Sequence, residues 1–269
     1  MSNAMVDFGY ARPTSLAEAA RMLAEPEAKA LAGGQSLIPA LKQRLARPRL
    51  LVDLQDLAEM RGIEVTDTHV RLGAFTRHAE VACDGRIADA LPALAHLASV
   101  IAHPQVRHMG TLGGSIAYND PGADYPAALL GLGATIVTDR RRIAADEFFV
   151  GLFETALAPA ELIVHIEFPR HRRSGYCKMA HPASGLVDAG VWITRLPDGV
   201  RVAVNGASPC VFRQIELERR LVDRFDPVSL EGFEQPSAGL NEDLHASAQY
   251  RAHLVTVAAK RALAMALLH

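Results

Sequence analysis

Two glycine pairs beside serine are the residues of this sequence best suited to holding an anion. Residues 30–39 read ALAGGQSLIP, and residues 109–126 read MGTLGGSIAYNDPGADYP. Glycines let successive backbone amides approach an anion closely and point toward it together. Ser36 in the first stretch, and Thr111 and Ser115 in the second, add hydroxyl donors. Together the two stretches could clamp a diphosphate, and a dinucleotide cofactor would satisfy both at once.

Each stretch also has a simpler interpretation as a tight turn. We call residues 31–38 the first motif and residues 111–115 the second motif. Neither contains GxGxxG, so the sequence does not support a Rossmann dinucleotide site. Neither contains GxxxxGK followed by Ser or Thr, the pattern of a P-loop. Spacing alone therefore leaves both interpretations open: two separate turns, or two halves of one anion site.

The elements around the first motif form a βαβ-like pattern. A helix is predicted over residues 13–24, where Ser15 and Glu18 have capping-box spacing. Short buried strands are predicted before the first motif and over residues 49–54, with a helix over residues 37–48 between them. Ser36 would stand at the N-terminus of that helix, where negative charge is favoured.

The rest of the chain predicts an α+β arrangement, and the order of the predicted elements changes after Pro169. Thr76 is predicted to cap a helix, and the second motif is predicted to be a loop. The other predicted elements are a hairpin over 62–74, helices over 88–102 and 125–131, and strands over 133–139 and 161–169. Beyond Pro169 the predicted elements are antiparallel strands over 176–180, 186–196 and 201–207, and helices over about 211–224 and 244–267.

Composition narrows the class of protein. The 269 residues are 49% hydrophobic and carry a formal net charge of −2, so a sizeable core is expected and a nucleic-acid-binding face is not. The three cysteines form no CxxC, which argues against an iron–sulfur cluster or structural zinc site within this chain. Unpaired cysteines and the lack of a long apolar stretch lead us to expect a cytoplasmic protein.

The two motifs, in this order and with their flanking residues, resemble a known family. The quoted segments are ALAGGQSLIPALKQRLARPRLLVDL and HPQVRHMGTLGGSIAYNDPGADYPAALL, and the likeness continues in FFVGLFETALAPAELIVHIEFP and NEDLHASAQYRAHLVTVAAKRAL. These segments are similar to the FAD-binding medium subunit of the molybdenum hydroxylases, the family of the carbon monoxide dehydrogenase medium chain and the xanthine dehydrogenase FAD subunit. The resemblance covers nearly the whole chain.

This resemblance implies an α+β fold of three lobes with FAD as the cofactor. A two-lobed FAD-binding domain of the vanillyl-alcohol-oxidase-like type would be followed by a C-terminal lobe of antiparallel sheet with helices. Residues 5–58 would form the N-terminal α/β lobe, residues 59–170 the second α+β lobe, and residues 175–269 the C-terminal domain.

The resemblance also implies which residues bind the cofactor. Asp124 would bind the adenosine part, Ile101 and Ile163 would pack against the cofactor, and Lys178 would lie near the flavin. The residues implied at the diphosphate are Leu31, Ala32, Gly33, Gly34, Gln35, Ser36, Leu37 and Ile38 in the first motif, and Thr111, Leu112, Gly113, Gly114 and Ser115 in the second. No catalytic acid or base and no metal ligand is implied. From the residues alone, Asp124 could instead cap the helix that begins at Tyr125, Lys178 could be a surface lysine, and the two isoleucines could be ordinary core residues.

In function, the resemblance implies an electron-transfer subunit of a molybdenum-containing hydroxylase. The expected partners are a molybdopterin-binding large subunit and a small subunit with [2Fe–2S] clusters, arranged as a dimer of heterotrimers. The substrate, which lies on another chain, stays open among carbon monoxide, a purine, nicotinate and an aldehyde. The alternatives are a self-contained flavoenzyme of the same fold, either an oxidase or a reductase, and a flavin-binding or assembly protein without catalytic partners.

Overall fold

The computed structural model describes residues 7–171 and 173–269. The helices are α1 Leu16–Leu23, α2 Leu37–Lys42, α3 His78–Cys83, α4 Gly85–Ala90, α5 Pro92–Ser99, α6 Pro104–Met109, α7 Leu112–Tyr118, α8 Tyr125–Leu132, α9 Ala145–Phe148, α10 Ile215–Asp223 and α11 Ala248–Ala266. The strands are β1 Gly9–Ala11, β2 Ala28–Leu31, β3 Leu50–Asp53, β4 Ile63–Val65, β5 His69–Gly73, β6 Thr135–Thr138, β7 Arg142–Ala144, β8 Phe149–Gly151, β9 Glu154–Thr155, β10 Ile163–Pro169, β11 Ser174–Ala180, β12 Val187–Leu196, β13 Gly199–Asn205 and β14 Phe212–Arg213. Short 3₁₀ helices lie at Ala58–Met60 and Pro227–Leu230. Among these helices, none is long and apolar enough to cross a membrane.

The N-terminal sheet has the parallel topology expected of a βαβ unit. Its strand order is β1-β3-β2, and both outer strands run parallel to β3. Helix α1 begins where Ser15 Oγ accepts a hydrogen bond from the Glu18 amide at 3.3 Å, as the sequence predicts. Strand β2 ends at Leu31, so the first motif leaves the carboxyl end of a parallel strand, where α/β sheets commonly bind ligands.

A five-stranded antiparallel sheet forms the middle of the chain. Its order is β4-β5-β10-β6-β7, and β4 and β5 are the predicted hairpin. Helices α3 to α8 lie between β5 and β6 in the sequence, and buried residues of α3, α4, α5, α7 and α8 belong to the same hydrophobic core as this sheet. The predicted helix over residues 88–102 is two helices, α4 and α5, because Pro92 lacks the amide needed to continue the first one.

The third sheet, β11-β12-β13-β14, is antiparallel and is buried on both faces. On one face Trp192 packs in the core that includes α8, and the absence of a side chain at Gly131 leaves room for the indole ring. On the other face Val191 and Ile193 pack in a second core that includes α11. This double burial explains why β12 has a nearly continuous apolar sequence instead of alternating apolar and polar residues.

Two local predictions were wrong. The second motif is not a loop, because residues 112–118 form helix α7 with Thr111 as its N-cap. Glycine disfavours helix by propensity, but here the cap and the packing of Gly113 against Ala74 outweigh that preference. Thr76 does not cap α3, whose N-cap is Arg77.

Candidate functional site

The two glycine motifs touch each other. Gly33 is buried, and a Cβ placed on it would overlap the Met109 carbonyl oxygen and lie 2.7 Å from Gly110 Cα. A Cβ placed on Gly114 would lie 3.7 Å from Ala32 Cβ. The segment that leads into the second motif therefore packs directly on the first motif. Since the motifs adjoin in this way, they can be treated as one candidate site.

The first motif supplies unpaired backbone donors. Within the described residues, no amide of residues 32–37 donates a hydrogen bond to another protein group, and regular pairing resumes only when the Ile38 amide donates to Gly34 O at 3.0 Å. Gly34 has a φ of +71°, a conformation that glycine adopts without strain. Gln35 and Ser36 are exposed, and Ala32, Gly34 and Leu37 are partly exposed, so this run of free amides beside a glycine turn can donate to an anionic group such as a diphosphate.

Four of the five backbone amides of the second motif are paired with other protein groups. Its amides pair as follows: Leu112 with Thr76 O at 2.9 Å, Gly113 with Ala74 O at 2.8 Å, Gly114 with Thr111 Oγ1 at 3.2 Å, and Ser115 with Thr111 O at 3.0 Å. The motif is thus fixed against the segment that follows β5. Gly114 and Ser115 remain partly exposed. The two motifs therefore differ in what they offer: the first has free amides, whereas the second is a fixed surface on which Thr111 is buried and its hydroxyl caps α7.

Asp124 and Lys178 form a buried ion pair with Nζ 2.9 Å from Oδ2. The two side chains are 3% and 5% exposed, which rules out Lys178 as a surface lysine. Lys178 Nζ also donates to Val100 O at 3.0 Å, and the Tyr176 hydroxyl donates to Asp124 Oδ1 at 2.8 Å. Asp124 stands at the N-cap position of α8, as the alternative interpretation expected, but within the described residues its side chain makes no capping bond to that helix. The pair instead ties strand β11 to the end of α5 and the start of α8.

Burial dominates the electrostatics around this pair. It raises the pKa of Asp124 to about 6, although Lys178 and Tyr176 favour the charged carboxylate. Burial also raises the pKa of the Tyr176 hydroxyl well above its usual value, with the Asp124 charge adding to the effect. Asn205 Nδ2 donates to Ala123 O at 2.6 Å and so holds the residue before Asp124 in place.

The two predicted isoleucines are buried beside this framework. Ile101 is 9% exposed and directly follows Val100, the residue whose carbonyl anchors Lys178. Ile163 is 4% exposed and begins β10. Its neighbour Val164 accepts a hydrogen bond from the amide of Ala74, whose own carbonyl holds Gly113. Both side chains belong to the hydrophobic core, and their contact with a cofactor stays a prediction.

The sequence analysis missed His78, which lies between the second motif and α8. Its side-chain atoms Nε2 and Cδ2 face Gly110, and its ring centroid is 5.3 Å from that of Tyr125. Burial lowers the pKa of His78 to about 4, and the positive charge of Arg107 lowers it further in the same direction. In the structure Arg77 is extended, so Thr76 and His78 point to the same side of the chain, but the sequence carries almost no signal of this arrangement.

We expect His78 to make the stability of the chain sensitive to acid. Its folded pKa of about 4 lies below the ordinary 6.5, so the unfolded chain binds more protons between these values. The contribution of neutral His78 is complete above pH 6.5 and is lost as the pH falls toward 4. Asp124 acts in the opposite direction, because its pKa in the folded chain, about 6, exceeds the ordinary 3.8. Its contribution to the free energy of unfolding therefore weakens as the pH rises from about 4 to about 6.

The measurement is urea unfolding of the chain and of a His78→Phe variant. The difference in free energy of unfolding between them should move by about 2–3 kcal/mol in favour of the variant from about pH 7.5 to about pH 4.5. The effect of Asp124 cancels in this difference. A difference that does not change with pH would show that His78 titrates alike in the folded and unfolded chains.

Comparison with known proteins identifies the family of the chain. The family described as "FAD binding domain in molybdopterin dehydrogenase" matches residues 6–171. The chain is 35% identical over 270 residues to the nicotine 6-hydroxylase medium subunit of Paenarthrobacter nicotinovorans, covering 94% of this chain and 95% of that protein. It is 32% identical over 274 residues to the carbon monoxide dehydrogenase medium chain of Hydrogenophaga pseudoflava, covering 95% and 96%.

A solved structure matches the fold over almost its full length. In the carbon monoxide dehydrogenase from Hydrogenophaga pseudoflava that lacks the Mo-pyranopterin moiety of the molybdenum cofactor, one chain superposes with a TM-score of 0.90 at 32% identity. The match covers 98% of this chain and 99% of that chain. It confirms the predicted fold class, while the lobe boundaries at 5–58, 59–170 and 175–269 stay a prediction. The chain therefore belongs to the FAD-binding medium subunits of the molybdenum hydroxylases, an oxidoreductase family whose cofactor in this subunit is FAD.

Proposed function

We propose that this chain is the electron-transfer subunit of a molybdenum hydroxylase complex, which passes electrons from partner [2Fe–2S] clusters to an external acceptor. The contact between Gly33 and residues 109–110 is the observation that carries the proposal, because it brings the free amides of residues 32–37 beside the second motif. A diphosphate held there would fix the cofactor at its centre. When bound, FAD supplies the one-electron and two-electron transfer chemistry.

Each part of the site has a distinct role in holding the cofactor. The amides of residues 32–37 would donate to the diphosphate, with the partly exposed Ser115 on the opposite side and Thr111 holding the Gly114 amide in place. A carboxylate has about four acceptor positions, and Asp124 uses two of them for Lys178 and Tyr176. The remaining positions suit ribose hydroxyls of the adenosine part. Lys178 retains a further N–H for the flavin side, and it brings a positive charge into a buried site.

The partners are proposed from the names of the relatives. Relatives are named as medium subunits or chains of nicotine 6-hydroxylase and carbon monoxide dehydrogenase, and another as a subunit of the 6-hydroxypseudooxynicotine dehydrogenase complex. By analogy this chain would assemble with a molybdopterin-binding large subunit and a [2Fe–2S] small subunit as a dimer of heterotrimers in the cytoplasm. The chain alone would then be inactive toward substrate.

Purification with and without the partners tests this function. The isolated chain, supplied with FAD, should show the visible absorption bands of a bound flavin but no turnover. Copurification from the native source should yield the two partner subunits, and added substrate should then bleach the flavin bands. Turnover by the isolated chain would instead support a self-contained flavoenzyme. Absence of both flavin and partners would contradict the proposal.

A further inference from the structure

His78 makes contacts with two parts of the candidate site that are far apart in the sequence. Its amide donates to Gly110 O at 3.1 Å, and its ring edge lies against the same residue. On its other side the ring is tilted by 50° against the ring of Tyr125, the first residue of α8. His78 is 5% exposed, so its ring fills the space between these two segments.

These contacts complete a continuous path through the candidate site. Gly33 rests on Gly110, Gly110 rests on His78, and His78 rests on Tyr125. Tyr125 directly follows Asp124, which holds the ion pair with Lys178. The separation between the diphosphate region and Asp124 is therefore set in part by the thickness of one imidazole ring.

Buried polar atoms along this path lack partners. His78 Nδ1, Thr76 Oγ1 and Tyr125 Oη have no hydrogen-bond partner among the described residues. An unpaired buried polar atom costs about 1–3 kcal/mol, so this arrangement does not maximise stability. Strained or unsatisfied groups tend to persist where geometry serves a function.

We propose that His78 is a positioning residue whose ring fixes the separation between the two glycine motifs and Asp124, so that a single FAD reaches both regions. This inference rests on the proposed function, because it requires FAD to span the motifs and Asp124. His78 itself does not touch the cofactor in this account. Its effect passes through Gly110 on one side and Tyr125 on the other.

The test compares a ligand that spans both regions with a ligand that fits only one. FAD would reach the motifs and Asp124, whereas inorganic pyrophosphate would reach the motifs alone. In His78→Ala the ring is lost, and we expect the FAD affinity of the apoprotein to fall at least about tenfold while pyrophosphate affinity stays within about twofold. His78→Phe keeps a flat ring and should restore FAD affinity to within about threefold of the original chain.

Val81→Ala is the matched control, because Val81 is fully buried on the same helix but lies outside this path. It should lower the thermal unfolding temperature without changing the ratio of the two affinities. If His78→Ala does not fold, His78→Leu replaces it, since leucine fills the space without a flat ring edge toward Gly110.

The outcomes separate this inference from the proposed function. If the ring-lacking variant loses affinity for FAD and pyrophosphate equally, or for neither, His78 does not set the separation. A His78→Phe variant that binds FAD as weakly as His78→Ala would also overturn the inference. If the original chain does not bind FAD at all, the proposed function fails.

Discussion

Replacing Gly33 by alanine is expected to weaken FAD binding by about 100-fold, because overpacking costs up to about 3 kcal/mol and the atoms in the way here are backbone. The new methyl group would overlap the Met109 carbonyl oxygen and press on Gly110. Backbone atoms cannot rotate away as a side chain would, so the second motif must move away from the first. A diphosphate could then no longer contact both motifs at once.

Equilibrium titration of the apoprotein with FAD, followed by flavin fluorescence, measures this effect. Gly85→Ala is the matched control, since a Cβ at Gly85 meets nothing within 4 Å and the change should leave the affinity unaltered. Thermal unfolding of both variants shows whether the fold is retained. Full FAD affinity in Gly33→Ala would show that contact between the motifs is not needed for binding.

Replacing Lys178 by methionine is expected to destabilise the chain by about 3–5 kcal/mol, the range for a buried charge left without its partner. Asp124 would remain 3% exposed with only the Tyr176 hydroxyl as a donor. The carboxylate would then take up a proton more readily, which raises its pKa further above the ordinary range. FAD binding should fall as well, because α5, α8 and β11 would lose the lysine that joins them.

A double-mutant cycle with Asp124→Asn and Lys178→Met separates the interaction energy of the pair from the effect of each substitution on its surroundings. The double variant should recover part of the stability lost in Lys178→Met, since neither charge is then buried alone. Arg86→Met is the surface control: Arg86 is 60% exposed in its ion pair with Asp84, and its loss should cost about 1 kcal/mol or less. Urea unfolding gives all four values. A loss in Lys178→Met no larger than that of the surface control would refute a structural role for the buried pair.

Local chemistry in the sequence predicted the parallel unit around the first motif. Ser15 begins a helix, and the apolar runs on either side of the motif are strands, because these signals act within a few residues. The contact between Gly33 and Gly110 could not be predicted in this way, since it joins positions far apart in the chain. For the same reason helix α7 was missed: its glycines are poor helix formers, and the packing that favours them lies on the segment that follows β5.

The sequence predicted which side chains belong to the candidate site but not how they are arranged in space. The alternation of a strand places Tyr176 and Lys178 on one face, so a joint partner could have been expected. That this partner is Asp124 depends on how the third sheet packs on α8. His78 gave almost no signal, because a histidine at the start of a short helix is usually exposed.

The position of the third sheet has a consequence for how the chain unfolds. One side of β12 belongs to the interior that surrounds the glycine motifs, and the other side belongs to the interior under α11. The sheet therefore contributes to both hydrophobic cores, and neither core can unfold without exposing the apolar side chains of the other. The change of topology near residue 170 is accordingly not a boundary between independently unfolding units. Heat or denaturant should unfold the two hydrophobic cores in a single transition.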